Sequence, residues 1–114
     1  VADFLRAPAD EQRGRFDLVT MFDVFEHLPR PTQALAEAAD YLRPGGWLML
    51  STGNCEHWSW RHIGGDHWYC EPIQHVRFGG PRYFHWVSAK MGVRLVTCRA
   101  HAHQRLPWRD RLTQ

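Results

Sequence analysis

Residues 16–51 read FDLVTMFDVFEHLPRPTQALAEAADYLRPGGWLMLS, and this stretch decides the fold. It begins with a short apolar run over residues 16–22, bounded upstream by a polar segment, which predicts a central strand that is buried on both faces. A second apolar run of strand length follows the turn-forming sequence PGG and covers residues 47–51. The stretch therefore predicts two strands joined by a connection long enough to hold a helix.

The connection has the pattern of an amphipathic helix. Pro31 suits the first turn, because its fixed φ is helical and its missing N–H is not needed there. Leu35 and Ala38 recur at helical spacing, and the helix is predicted to end near Leu42, since Arg43 precedes a proline and is disfavoured in the α region. A strand, a helix and a strand in this order predict a right-handed βαβ unit in a parallel sheet. The predicted fold class is α/β.

Polar residues follow both predicted strands. Asp23, Glu26 and His27 come after the first strand, and Thr52 and Asn54 come after the second. In parallel sheets, ligands bind beyond the carboxyl ends of the strands. We therefore expect these side chains to meet at one edge of the sheet and to form a site there.

The motifs FDLVTMFDVFEHLPRP and LRPGGWLMLSTGN resemble the second half of class I S-adenosylmethionine-dependent methyltransferases. The resemblance continues more weakly through Gln74-His75-Val76 and covers roughly residues 1–99. It implies a partial Rossmann-like, doubly wound sheet, namely the C-terminal half of a seven-stranded methyltransferase fold. Gly53 departs from the family pattern, because it replaces the proline of a T-P-N motif.

The resemblance also implies a function. The expected reaction is methyl transfer from S-adenosylmethionine to an oxygen, or less often a nitrogen, of a small molecule, lipid or sugar. The glycine-rich cofactor loop of the family is missing, so we expect the chain to be a fragment of an enzyme about twice as long, and to be inactive alone. An alternative is a methyltransferase-like binding module without catalysis.

Four residues are implied to contact the cofactor. By the resemblance, Asp3 would accept a hydrogen bond from the adenine and Phe4 would pack against it. Phe22 and Asp23 would stand where the cofactor pocket meets the substrate.

Three residues are candidates for catalysis. The Glu26-His27 pair matches the family's hallmark dipeptide, and His75 corresponds to a histidine beside the pocket. A neutral imidazole can take a hydroxyl proton while the methyl group moves, so His75 is the preferred general base. It is equally open that these polar groups serve by hydrogen bonding to loop backbone.

A divalent metal is an alternative role for the same region. The pattern D-x-x-E-H is similar to the E-x-x-E-H of small-RNA 2′-O-methyltransferases and ubiquinone-type O-methyltransferases, in which carboxylates and histidines bind a cation. It implies Asp23, Glu26, His27 and His75 as ligands. Mixed carboxylate and imidazole ligation suits magnesium, manganese or zinc.

Residues 55–80 are rich in aromatic residues and histidine and lack clear periodicity. We predict a lid whose tryptophans stack on a substrate, with capping of the sheet edge as the alternative. The same segment allows a small Cys/His metal-binding domain, although its spacings match no standard zinc motif. The residues of that set are Cys55, His57, His62, His67 and Cys70.

The C-terminal part is predicted to hold one helix and one strand. Pro81 begins the helix and Gly92 ends it. Residues 93–98 alternate as in a third strand. The chain is thus divided into core strands and helix (1–54), lid (55–80), last helix and strand (81–104) and tail (105–114), all within one partial domain.

Composition excludes several classes. A chain of 114 residues holds one domain at most, and 44% hydrophobic and 23% charged residues without a membrane-length apolar run predict a cytoplasmic protein. A net charge of +2 with scattered arginines argues against nucleic acid as a partner. Three widely spaced cysteines predict reduced thiols rather than a disulfide framework. Composition gives no indication of the oligomeric state.

Overall fold

The computed structural model describes residues 9–70 and 74–100, which form a parallel pair of strands and three helices. The elements are β1 (Phe16–Phe22), α1 (Pro31–Asp40), β2 (Leu42–Ser51), α2 (Trp58–Ile63) and α3 (Pro81–Met91). Since β1 and β2 pair in parallel and α1 connects them, the predicted α/β class is confirmed.

The second strand begins earlier than predicted, at Leu42 instead of near Trp47. Phe16 pairs with Leu42 and Leu18 pairs with Trp47, so the PGG sequence lies in an irregularity of the ladder. Gly45 has a φ of 79°, a left-handed conformation that glycine adopts without a Cβ clash. The residues predicted to form a turn before β2 therefore lie within β2.

The two predicted helices, α1 and α3, begin and end at or near the residues that were predicted to bound them. Pro31 is the first residue of α1, and Pro81 is the first residue of α3. Gly92 caps α3 in the left-handed conformation, as predicted. The first helix ends at Asp40, slightly before the predicted Leu42, because β2 already begins at Leu42.

The hydrophobic core lies on one side of the two strands. Phe25 and Leu35 are its most deeply buried apolar residues, with 1% and 2% of their surface exposed. The ring centroid of Phe25 lies 5.4 Å from those of both Tyr83 and Phe84, which packs α3 against the residues that follow β1. The buried apolar cluster consists of Met21, Phe25, Leu28, Ala34, Leu35 and Val87.

The prediction that β1 is buried on both faces is wrong for the described part of the chain. Leu18 and Phe22 are 52% and 53% exposed, and Trp47 on the paired strand is 56% exposed. Their side chains share one face of the sheet, because residues of a strand alternate between faces. Helices α1 and α3 pack against the opposite face, where Met21 is buried.

Residues 93–98 do not form the predicted third strand. They follow Gly92 as irregular chain, and the sheet that the structure describes contains β1 and β2 alone. A strand exists through hydrogen bonds to a neighbour, so an alternating pattern alone does not create one. Within the described residues, no helix is long and apolar enough to cross a membrane.

Candidate functional site

The candidate site is built at the carboxyl end of β1, as the sequence predicts. Asp23 follows the strand with a φ of 52°, and its N–H donates to the carbonyl of Ser51 at the end of β2 over 3.1 Å. A 3-10 turn, Phe25–His27, comes next. This turn buries Glu26 and leaves the side chain of His27 exposed.

Glu26 is the anchor of the site, with only 2% of its surface exposed. Its Oε1 accepts a hydrogen bond from the hydroxyl of Tyr69 at 2.6 Å, and its Oε2 accepts one from the hydroxyl of Thr52 at 2.8 Å. Its backbone carbonyl accepts from the N–H groups of Val76 and Arg77 at 2.9 and 3.1 Å. Both ends of the residue are therefore fixed by the chain that follows β2.

The hydrogen bonds keep Glu26 ionised despite its burial. Burial by itself raises the pKa of this carboxyl, but the hydrogen bonds from Tyr69 and Thr52 and the nearby charge of His27 lower it below its ordinary value. Burial and the bond to Glu26 raise the pKa of Tyr69 to about 12. Tyr69 is thus a neutral donor to a charged acceptor, the stronger kind of hydrogen bond.

Two histidine rings lie beside Glu26, with centroids 5.0 Å apart. Nδ1 of His27 is 2.7 Å from the carbonyl of Gln74, and Nδ1 of His75 is 2.7 Å from the carbonyl of Tyr69. A carbonyl only accepts, so Nδ1 donates in both rings. In the neutral rings, the Nε2 lone pairs then remain for a proton or a cation.

Glu26, His27 and His75 together fit a divalent cation. Each offers one ligand atom, and these atoms lie within 4.8 Å of one another. Metal-binding histidines typically donate their second ring nitrogen to a backbone carbonyl or carboxylate, and both rings here do so. No other group of this kind is found in residues 9–70 and 74–100, and Asp23 is not part of it.

The segment after β2 contains α2 and a chain of hydrogen bonds. Nδ1 of His67 accepts from the N–H of Tyr69 at 3.2 Å, so Nε2 carries the proton of the neutral ring and donates to Oγ of Ser59 at 2.9 Å. The Ser59 hydroxyl in turn donates to Nδ1 of His57 at 2.8 Å. His67 also stacks on Trp60 at a centroid distance of 4.3 Å. The described residues 55–70 of the predicted lid are therefore joined to the site through Tyr69.

These contacts argue against the Cys/His zinc domain. His57 and His67 use their ring nitrogens to bind Ser59 and the backbone. Cys55 has a raised pKa because it is buried and lies near a glutamate, which favours the thiol over the thiolate that metals require. All five residues of the set lie in the described part of the chain, where they do not form a ligand group.

The structure brings together the three residues predicted to be catalytic. Phe22 is half exposed at the end of β1, and Oδ1 of Asp23 accepts from the hydroxyl of Ser51 at 3.3 Å. Asp3 and Phe4 lie outside the described residues. The functions of all these residues stay predictions.

Sequence reasoning missed the link from Tyr69 to Glu26. The available signal was Gly53, because a Cβ atom at that position would lie 2.1 Å from Cε1 of Tyr69. The sequence pattern places Tyr69 in the aromatic segment of residues 55–80 and indicates no contact with Glu26.

Comparison with known proteins identifies a methyltransferase domain. A family model described as a methyltransferase domain matches residues 2–97. A mitochondrial ubiquinone biosynthesis O-methyltransferase of Candida albicans is 52% identical over 46 residues, which cover 40% of this chain and 14% of that protein. The ubiquinone biosynthesis O-methyltransferase of Shewanella halifaxensis is 39% identical over 54 residues, 47% of this chain and 23% of that protein.

A third relative has the same name. The ubiquinone biosynthesis O-methyltransferase of Xanthomonas axonopodis pv. citri is 50% identical over 46 residues, 40% of this chain and 19% of that protein. The chain thus aligns with less than a quarter of the length of each of these relatives. No solved structure matches the chain.

Proposed function

The chain belongs to the family of methyltransferase domains, and on that premise we propose that its protein transfers a methyl group from S-adenosylmethionine to a hydroxyl oxygen. The observation that carries the proposal is the group formed by Glu26, His27 and His75 at the carboxyl edge of the parallel strands. Ligands of such sheets bind at this edge. A buried carboxylate with two imidazoles can orient a hydroxyl and accept its proton.

The reaction requires little covalent chemistry from the protein itself. The hydroxyl oxygen attacks the methyl carbon, the bond from that carbon to the sulfonium sulfur breaks, and the sulfur leaves as a neutral thioether. Catalysis then depends on alignment of the oxygen with the methyl group and on removal of the hydroxyl proton. Nε2 of His75 is the proposed proton acceptor, because Nδ1 already donates to a carbonyl.

A divalent cation is the second way in which the same residues could act. Glu26, His27 and His75 would hold it through a carboxylate oxygen and two imidazole nitrogens. When bound, such a cation lowers the pKa of a coordinated hydroxyl, so a weaker base suffices. The hydrogen bonds from Nδ1 of both histidines to carbonyls support this proposal, since they orient the rings for ligation.

The relatives guide the choice of acceptor. They are O-methyltransferases of ubiquinone biosynthesis, which favours oxygen over nitrogen and, we propose, an aromatic hydroxyl over a sugar hydroxyl. Trp58 and Trp68 are 64% and 74% exposed in the segment after β2, and their rings could cover an aromatic acceptor. The proposed acceptor is therefore a phenol or catechol.

The test is an assay of the full protein with S-adenosylmethionine and three acceptors: a catechol, a simple phenol and a sugar. Formation of S-adenosylhomocysteine, measured by mass spectrometry, should be fastest with the catechol or phenol. The assay is repeated after EDTA treatment and after addition of Mg²⁺, Mn²⁺ or Zn²⁺. Activity that EDTA removes and a cation restores supports the cation role, whereas full activity in EDTA contradicts it.

Two results of this assay would contradict the proposal. If the protein binds S-adenosylmethionine but produces S-adenosylhomocysteine with none of the acceptors, the binding-module alternative replaces catalysis. Preference for the sugar would keep methyl transfer but overturn the proposed acceptor class.

A further inference from the structure

We propose that Tyr69 is a positioning residue for this site, holding Glu26 and His75 in place and joining them to the segment that follows β2. The inference rests on the proposed function, because it concerns the same three side chains. Its evidence is a set of contacts made by one residue to several parts of the site.

Tyr69 contacts the site through both its side chain and its backbone. Its hydroxyl donates to Oε1 of Glu26 at 2.6 Å. Its ring stacks on the ring of His75, with centroids 4.3 Å apart and planes inclined by 30°. Its backbone carbonyl accepts the hydrogen bond from Nδ1 of His75 at 2.7 Å. Tyr69 therefore fixes the plane and the tautomer of one candidate residue and the carboxylate of another.

Gly53 provides an independent observation. Its N–H donates to the Tyr69 hydroxyl at 2.8 Å, so the oxygen accepts one hydrogen bond and donates another. A Cβ at residue 53 would lie 2.1 to 2.7 Å from three carbon atoms of the Tyr69 ring. The proline of the family's T-P-N motif would lack the donor and would fill this space. The glycine at position 53 thus leaves room for Tyr69 to reach Glu26.

Other residues of the segment that follows β2 hold Tyr69 in its orientation. The N–H of Tyr69 donates to Nδ1 of His67, and His67 is 8% exposed and stacked on Trp60. The ring of Tyr69 also meets the edge of Phe78 at a centroid distance of 6.1 Å. Because His67 and Phe78 hold Tyr69, the segment that follows β2 fixes the position of Tyr69 against Glu26 and His75.

The decisive variant is Tyr69→Phe in the full protein, because it removes the hydroxyl and retains the ring and the carbonyl. A matched control is Tyr83→Phe, since the Tyr83 hydroxyl forms a hydrogen bond with Thr32 at 3.0 Å, away from the three candidate side chains. Both variants remove a part-buried hydroxyl, which forms two hydrogen bonds in Tyr69 and one in Tyr83. A general loss of stability should therefore be visible in both variants.

We expect the two variants to differ in two measurements. In Tyr69→Phe, kcat should fall by about 10- to 100-fold, the usual effect of removing a residue that orients a ligand group, while KM for S-adenosylmethionine changes little. Amide hydrogen exchange at Gly53, measured without any cation or substrate, should accelerate about tenfold, the size of one net hydrogen bond. Tyr83→Phe should change neither.

The outcomes separate this inference from the proposed function. If kcat is unchanged in Tyr69→Phe, or if Tyr83→Phe lowers it equally, Tyr69 does not position the site. If the wild-type protein shows no methyl transfer, the proposed function fails, and Mn²⁺ binding then takes the place of kcat. Affinity for Mn²⁺ that falls about 10- to 100-fold in Tyr69→Phe alone supports the inference, and equal affinity in both variants or undetectable binding overturns it.

Discussion

Gly53 donates its N–H to the hydroxyl of Tyr69 over 2.8 Å, and the ring of Tyr69 fills the space that a Cβ of residue 53 would need. Gly53 lies just after β2, and Tyr69 lies beyond α2. A contact this close leaves no room for even the smallest side chain, because the nearest ring atom would be 2.1 Å from the added carbon.

The variant Gly53→Ala should therefore be destabilised by about 1–3 kcal/mol, the usual cost of forcing one extra carbon into a packed region. Urea denaturation measures this change. Gly65→Ala is the control, because a Cβ at Gly65 would meet no atom within 4 Å, and its effect should stay within about 0.5 kcal/mol. Equal stability of the two variants would contradict the close approach of Tyr69.

Asp23 offers a test of the backbone at the carboxyl end of β1. Its φ of 52° lies in the left-handed region, which costs most residues about 1 kcal/mol and glycine nothing. Asp23→Gly and Asp23→Ala both remove the carboxylate, so the difference between them isolates the backbone. We expect the glycine variant to have a free energy of unfolding about 0.5–1 kcal/mol higher than the alanine variant, after allowance for the greater flexibility of unfolded glycine. An alanine variant as stable as the glycine variant would mean that residue 23 has a different conformation.

His67 should make stability depend on pH between neutral and mildly acidic conditions. Burial, followed by the charge of His57, lowers the pKa of His67 below its ordinary 6.5, so the folded protein favours the neutral ring. The unfolded chain binds the proton more readily, and the stabilising contribution is complete above about pH 6.5 and is lost as the pH falls toward the lower folded value. Protonation would also end the hydrogen bond from the N–H of Tyr69 to Nδ1.

Urea denaturation at several pH values from about 8 to about 5.5 measures this loss. His67→Phe retains a ring against Trp60 but cannot titrate, so its free energy of unfolding should change less with pH. His85→Gln, at an exposed position in α3, is the control and should follow the wild-type slope. If His67→Phe also follows that slope, another group is responsible for the pH dependence.

His75→Gln should weaken binding of Mn²⁺ by at least about tenfold, because it removes one of the three proposed ligands. His62→Gln in α2 is the matched control, since His62 is exposed and lies outside the ligand group. Isothermal titration calorimetry measures both affinities in the full protein. Equal affinity in the two variants would remove His75 from the ligand set and leave it as the proposed proton acceptor.

Local chemistry explains which parts of the fold could be predicted. Pro31, Pro81 and Gly92 set helix ends through their own backbone preferences, so a short window of sequence contains the necessary information. The exposed face around Phe22 and the missing strand at residues 93–98 could not be foreseen in this way, because they depend on which neighbours are present.

The site was predictable to a similar degree. Topology placed Glu26 and His27 at the edge of the sheet, and the family resemblance added His75. The bond from Tyr69 to Glu26 spans 43 residues, across a segment with no periodic pattern, so no local rule could indicate it. The glycine at position 53 was the one sequence feature that indicated a close approach by another side chain.

The hydrogen bonds of Glu26 also affect the order in which the protein folds. The bond from Tyr69 to Glu26 joins residues 43 positions apart, whereas the paired residues of β1 and β2 are 26 to 29 positions apart. Closing long loops costs entropy before any contact compensates for it, so such contacts tend to form late. We therefore expect the newly made chain to form its βαβ unit first, and a partly folded molecule to have a sheet before it has a site.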